Sequence, residues 1–228
     1  IRYARQAQTI VADMAEAQLI LGTAYAQKNS LSEAARELEA YVQRTPTDPR
    51  GHQRLGAAYL AQGNLPRAET QFEAALKPDP VSAEALAGLA RVYMSQKNPQ
   101  KALQRLNQAL SQTSGAAQAP ILRLLAEIQV VQKDLTRAEE YYRKAIQANP
   151  KDINSASALE AFYERNGRQG KSIDLYQDLL RSEPGNAALQ KRLATQYLNQ
   201  SAWDKGLPLV DEALKANAKD TEARILRS

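Results

Sequence analysis

Acid–base, nucleophilic and metal chemistry draw on histidine, cysteine or carboxylates that converge, because those groups titrate, attack or ligate near neutral pH. This chain holds one histidine, His52, and no cysteine. A lone histidine has nothing with which to build a triad or a metal site, so His52 is read as a partly buried packing residue on a helix. Without a thiol there is no disulfide framework, no thiolate ligand and no cysteine nucleophile. Gly22, Gly56 and Gly88 lie in helical surroundings, not in a phosphate-cradling loop. These residues point to no enzyme, and to no cofactor or metal. The net charge of +5 is modest for 228 residues. The charges are scattered and no groove-reading motif accompanies them, so nucleic acid is not the expected partner. No apolar run of about 18 residues is present to span a membrane, and no signal peptide is visible. Absence of cysteine suits the cytosol and a bacterial periplasm alike.

What the chain does carry is a repeat. Its clearest copy, Pro49–Ser82, reads as two amphipathic helices, the first with Leu55, Gly56 and Tyr59, the second with Ala68, Phe72 and Ala75. From Gly56 a step of 34 residues back reaches Gly22 and one forward reaches Ala90; a step of 36 reaches Ala126, and two more of 34 reach Glu160 and Ala194. The residue before each slot is leucine: Leu21, Leu55, Leu89, Leu125, Leu159 and Leu193. Three residues after it comes Tyr25, Tyr59, Tyr93, Tyr163 or Tyr197, with Gln129 the exception. Twelve after it the residue is small: Ala34, Ala68, Ala102, Ala138, Ser172 and Gly206. Small residues let two helices approach, leucine and tyrosine one turn apart fill the space around the contact, and proline closes the unit.

This pattern resembles the tetratricopeptide repeat, with its period of 34 and its Leu-Gly, Tyr, Ala, Phe and Pro order. The resemblance covers nearly the whole chain and implies an all-α fold, a right-handed solenoid superhelix of helix-turn-helix units. The expected units are 15–48, 49–82, 83–116, 119–152, 153–186 and 187–220, with partial ones at 1–14 and 221–228. Ala12, Asp13 and Met14 are expected to form a junction, and Ser111–Ala119 a longer loop. Pro208 lies past the first turn of its helix, so that helix should start late or kink. Beginning and ending in mid-repeat is expected of a segment from a longer protein.

In this family the first helices line a concave groove. Carrying over its positions gives Arg50, Gln53, Arg91, Arg123, Glu127 and Lys191, with Arg54 and Arg192 at the edge. Three guanidinium groups in consecutive units, Arg50, Arg91 and Arg123, could grip carboxylates of an acidic or extended peptide. The plainer reading pairs them with Glu84 and Glu127 or with water. The family's clamp for chaperone tails is absent: Leu19, Thr23, Arg54, Glu84 and Gly88 stand where Lys, Asn and Arg are needed, and a register one unit later fails too. The expected function is a non-enzymatic scaffold that holds a protein or peptide partner. The Gln- and Ala-rich style resembles bacterial arrays, some in exopolysaccharide secretion systems, which favours the periplasm. The alternatives are an array serving a larger enzyme such as a glycosyltransferase, and a self-associating array joined through its end repeats.

Overall fold

The computed structural model describes residues 2–228, with side chains from residue 14 onward. The described chain forms two compact units, Ile1–Ser114 and Gly115–Ser228. The first holds α1 (Arg2–Gln27), α2 (Leu31–Arg44), α3 (Pro49–Ala61), α4 (Leu65–Ala75), α5 (Ala83–Ser95) and α6 (Pro99–Ser111). The second opens on a 3₁₀ turn at Gly115–Ala117. It continues with α7 (Gln118–Val131), α8 (Leu135–Ala148), α9 (Ile153–Arg165), α10 (Gln169–Ser182), α11 (Ala187–Asn199), α12 (Trp203–Ala216) and α13 (Thr221–Arg227). The described residues form no strand.

Local sequence sets the helix ends. Asp48, Asn64, Asn98, Asp134, Asp152, Asn186 and Asp220 each stand just before a helix and accept a hydrogen bond from a backbone N–H of its first turn. Pro49, Pro66 and Pro99 occupy first-turn positions, where a missing N–H costs nothing. Each tight hairpin turn closes in one way. A residue with positive φ (Asn29, Gly63, Lys97, Lys133, Gly167 or Ser201) lets the next N–H return to a carbonyl of the preceding helix. That acceptor is the residue at the tyrosine slot: Tyr25, Tyr59, Tyr93, Gln129, Tyr163 or Tyr197. This is a helix C-cap closure, and only two of the six use glycine.

Three expectations are corrected. α1 runs unbroken from Arg2 to Gln27, so no junction forms at 12–14; Ala12, Asp13 and Met14 include no helix breaker. The stretch expected as a long loop is mostly ordered as the 3₁₀ turn and the start of α7. Helix α12 begins at Trp203 and carries Pro208 in its interior, so the late start, one of the two outcomes expected of it, does not occur.

Packing follows the repeat. Leu55, Leu89, Leu125, Leu159 and Leu193 are buried, while Leu21 on α1 is 47% exposed, a departure from the expected packing role. In the first unit the Phe72 ring of α4 is wedged against α3 and α5. A Cβ placed on Gly56 would lie 3.1 Å from that ring, and one on Gly88 only 2.2 Å. Gly88 is thus required by close approach, not by backbone conformation.

Four of the six tyrosine slots also tie one hairpin to the next. Tyr59 of α3 donates to Glu39 of α2 and lies under Arg67 of α4, 5.4 Å from the ring centre. Tyr93 of α5 bonds Glu73 of α4 at 3.4 Å, with Lys101 of α6 4.5 Å from its ring centre. Tyr163 of α9 donates to Glu139 of α8 at 3.0 Å and accepts from Arg143 at 2.9 Å, with Lys171 of α10 over its face. Tyr197 accepts from Gln177 and faces Lys205.

Burial, the largest cause in each case, pushes the Tyr142 and Tyr163 phenols up to about 12 and raises Tyr93 and Tyr176 as well. An unfolded tyrosine titrates near 10. The fold therefore holds protons that the unfolded chain releases above that pH, and stability falls as pH rises through the folded values. The urea midpoint should be flat from about pH 7 to 9 and drop steadily between about 10 and 12; a flat midpoint to pH 12 would exclude this linkage.

Candidate binding surfaces

Helices α1, α3 and α5 of the first unit share an open face. Two adjoining cavities indent it, of about 440 and 540 Å³, and Gln53, Arg54 and Glu84 border both. Small residues, Ala57, Ala87 and Gly88, line the first, with the Phe72 ring. Ile20 of α1, 62% exposed, lines the second. Arg54 and Arg91 are exposed, and neither forms an ion pair or hydrogen bond with any described residue; the same holds for Glu84.

The structure thus brings Arg50, Gln53, Arg54 and Arg91 to one face, but gives them different work. Arg50 is engaged: its Nη2 lies 2.8 Å from Asp48 Oδ2 and 3.4 Å from Glu16, and donates to the Tyr41 hydroxyl at 3.1 Å. The Arg50 guanidinium, foremost, holds the Asp48 carboxyl down at about 2. Its partners are therefore not Glu84, as the plainer reading had it. Gln53 donates to Ser82 Oγ at 3.3 Å.

The second unit shows the same device with charge. Arg123 of α7 lies 3.6 Å from Asp152, which caps α9. Lys191 of α11 lies 2.9 Å from Asp220, which caps α13, and 2.6 Å from Glu222. Gln53, Arg123 and Lys191 each reach the capping residue 29 positions on, so these three brace one first helix against the next. Glu127 of α7 and Arg192 of α11 are exposed. Arg91 belongs to the first unit and Arg123 to the second.

His52 has the packing role expected. It is buried, with Nδ1 2.7 Å from Gln71 Oε1 and Nε2 2.9 Å from the Pro46 carbonyl oxygen. Among the described residues no group of three or more His, Cys, Asp or Glu side chains could hold a metal, and no described helix is long and apolar enough to cross a membrane.

Family models described as tetratricopeptide repeat match residues 1–49 and 54–117, and again 94–161. The chain belongs to the tetratricopeptide repeat family. Solved structures agree in fold. One is Pseudomonas aeruginosa pilF, at 18% identity and TM-score 0.55, covering 95% of this chain and 98% of that one. A second is a human IFIT1 dimer with PPP-AAAA, at 23% and 0.56, covering 93% of this chain and 50% of that one. A third is a tetratricopeptide repeat protein from Parabacteroides merdae, at 18% and 0.50, covering 94% and 84%. At these identities the likeness is one of fold. No curated protein matches the chain. Its tetratricopeptide repeats make it an α-solenoid protein-interaction scaffold.

Proposed function

We propose that the α1–α3–α5 face of the first unit holds an extended, acidic segment of a partner protein. The observation that carries this is the pair Arg54 and Arg91, exposed on the rim of one cavity and unpaired among the described residues. A guanidinium held beside a floor of Ala57, Ala87 and Gly88 can take a carboxylate through two parallel N–H donors, and the small floor lets a peptide backbone approach. Arg50, Arg123 and Lys191 are spent on internal pairs and contribute less. The Gln- and Ala-rich repeats support a setting in a bacterial secretion or exopolysaccharide assembly, where such a scaffold would hold one component against another.

The test is fluorescence anisotropy with two labelled, C-terminally amidated decapeptides, one with Glu at alternate positions and one with Lys there. The Glu peptide should bind and the Lys peptide should not. Arg54→Glu with Arg91→Glu should weaken binding at least about tenfold, and binding should fall with added salt. Equal binding by the double variant would remove this face from the reading.

A further inference from the structure

The second unit carries a pocket unlike the face just described. Between α7, α8 and α9 lies a cavity of about 580 Å³, within the size range of ligand pockets. Its walls are apolar: Val130, Val131, Leu135, Tyr142 and Phe162. The Tyr142 and Phe162 rings sit 5.6 Å apart at 45° and are themselves buried, so they form a fixed floor. Val131 behaves differently. It is 66% exposed, on a helix whose next residues lead into a tight turn. Lone exposed apolar residues are ordinary, but this one borders a cavity with an aromatic floor.

The rim is charged and unsatisfied. Lys133 stands in the turn after α7 and Arg165 at the end of α9, and both line the cavity. Neither is ion-paired with a described residue, although Arg165 does bear electrostatically on the Tyr142 phenol. Glu127 is the one carboxylate on the rim, and it has no ion pair either. Two cations against one carboxylate leave a local excess of positive charge over an apolar floor.

We propose that this pocket takes a large apolar side chain, aromatic or long aliphatic, from a partner protein segment that carries a carboxylate on a neighbouring residue. The apolar chain fills the space over Tyr142 and Phe162 against Val131, and the carboxylate meets Arg165 and Lys133. A purely apolar occupant leaves the excess positive charge of the rim unmatched. A purely acidic one leaves the apolar floor and Val131 in water. Only the combination uses both features. This site stands independently of the α1–α3–α5 face, so either can fail without the other.

The test uses the whole chain, ¹⁵N-labelled, titrated with three amidated nonapeptides of Gly and Ser bearing a central Asp-Phe, Asp-Ala or Ser-Phe pair. Asp-Phe should shift amides at the C-terminal ends of α7 and α9 and the start of α8, and bind at least about tenfold tighter than either control. Val131→Asp, at an exposed position that does not disturb the core, should weaken Asp-Phe by at least about tenfold with an unchanged circular dichroism spectrum. Arg165→Gln should bring Asp-Phe down to the level of Ser-Phe. Shifts confined to the first unit, equal binding by all three peptides, or unaltered binding by Val131→Asp would each overturn the assignment. Variants at Arg54 and Arg91 should leave it unchanged.

Discussion

Phe72→Ala should destabilise the first unit by about 3–5 kcal/mol, the usual cost of emptying an aromatic site in a core. Two helices depend on this ring. It reaches from α4 against α3 and α5, and Gly56 and Gly88 are the residues that make room for it. The glycines are not equivalent. Gly88→Ala would set a methyl group 2.2 Å from the ring, inside any real contact, so ring and helix must part; overpacking of that kind costs about 1–3 kcal/mol. Gly56→Ala sets its methyl at 3.1 Å, which a small ring shift can absorb, while alanine gains about 1 kcal/mol over glycine inside a helix. Gly56→Ala should therefore come out within about 1 kcal/mol of the parent. Combining Gly88→Ala with Phe72→Leu should cost less than the sum of the two, since each relieves the other. Urea unfolding of the full chain, with amide exchange across residues 49–95 to locate the loss, decides the matter. Equal effects of alanine at 56 and 88 would show that the ring is not wedged as described.

Much of the fold was legible because each hairpin packs on its neighbours, so short-range periodicity carries long-range information. The leucine slot and the small slot announce a helix contact, and Leu55 with Ala68, or Leu89 with Ala102, are buried accordingly. Helix starts could be read where proline stood, at Pro49, Pro66 and Pro99. Less legible was what the polar partners do. The spacing of the tyrosine slot implies core filling alone, yet the hydroxyls of Tyr59, Tyr93, Tyr163 and Tyr197 tie adjacent hairpins. A signal for this was present: an acidic or polar residue 20 positions earlier and a base 8 later, as in Glu39–Tyr59–Arg67 and Glu73–Tyr93–Lys101. Repeat phase alone makes Arg123 and Lys191 groove cations. Both lie beside capping carboxylates 29 residues on, a pairing that no single helix reveals because partner and base sit in different hairpins. Position on a face was readable from phase; occupancy of the charge was not.

The same limit governs Glu160, which replaces the small residue of its slot and is buried. Its carboxyl group forms no ion pair with a described residue. It accepts from the Tyr176 hydroxyl at 2.7 Å and from the Gln196 amide at 2.5 Å, so three helices, α9, α10 and α11, meet on one acid. Gln196 also donates to Glu164 at 3.0 Å. Tyr176 is fully buried, and burial first, then Glu160, raises its phenol. A buried carboxylate is tolerable only while its donors remain, and a hydrogen bond to a charged group contributes about 1.5–3 kcal/mol. Tyr176→Phe should therefore destabilise the second unit by about that amount, although it removes a single oxygen. Glu160→Gln keeps the shape, removes the charge and can still accept from Tyr176, so it should cost under about 1 kcal/mol. In the double variant the phenylalanine no longer strands a charge, and its effect should shrink by about 1 kcal/mol or more. Denaturant unfolding of the four proteins gives this coupling directly. If Tyr176→Phe costs the same in both backgrounds, the hydroxyl is supporting packing and not the acid, and Glu160 must hold its place by the Gln196 amide alone.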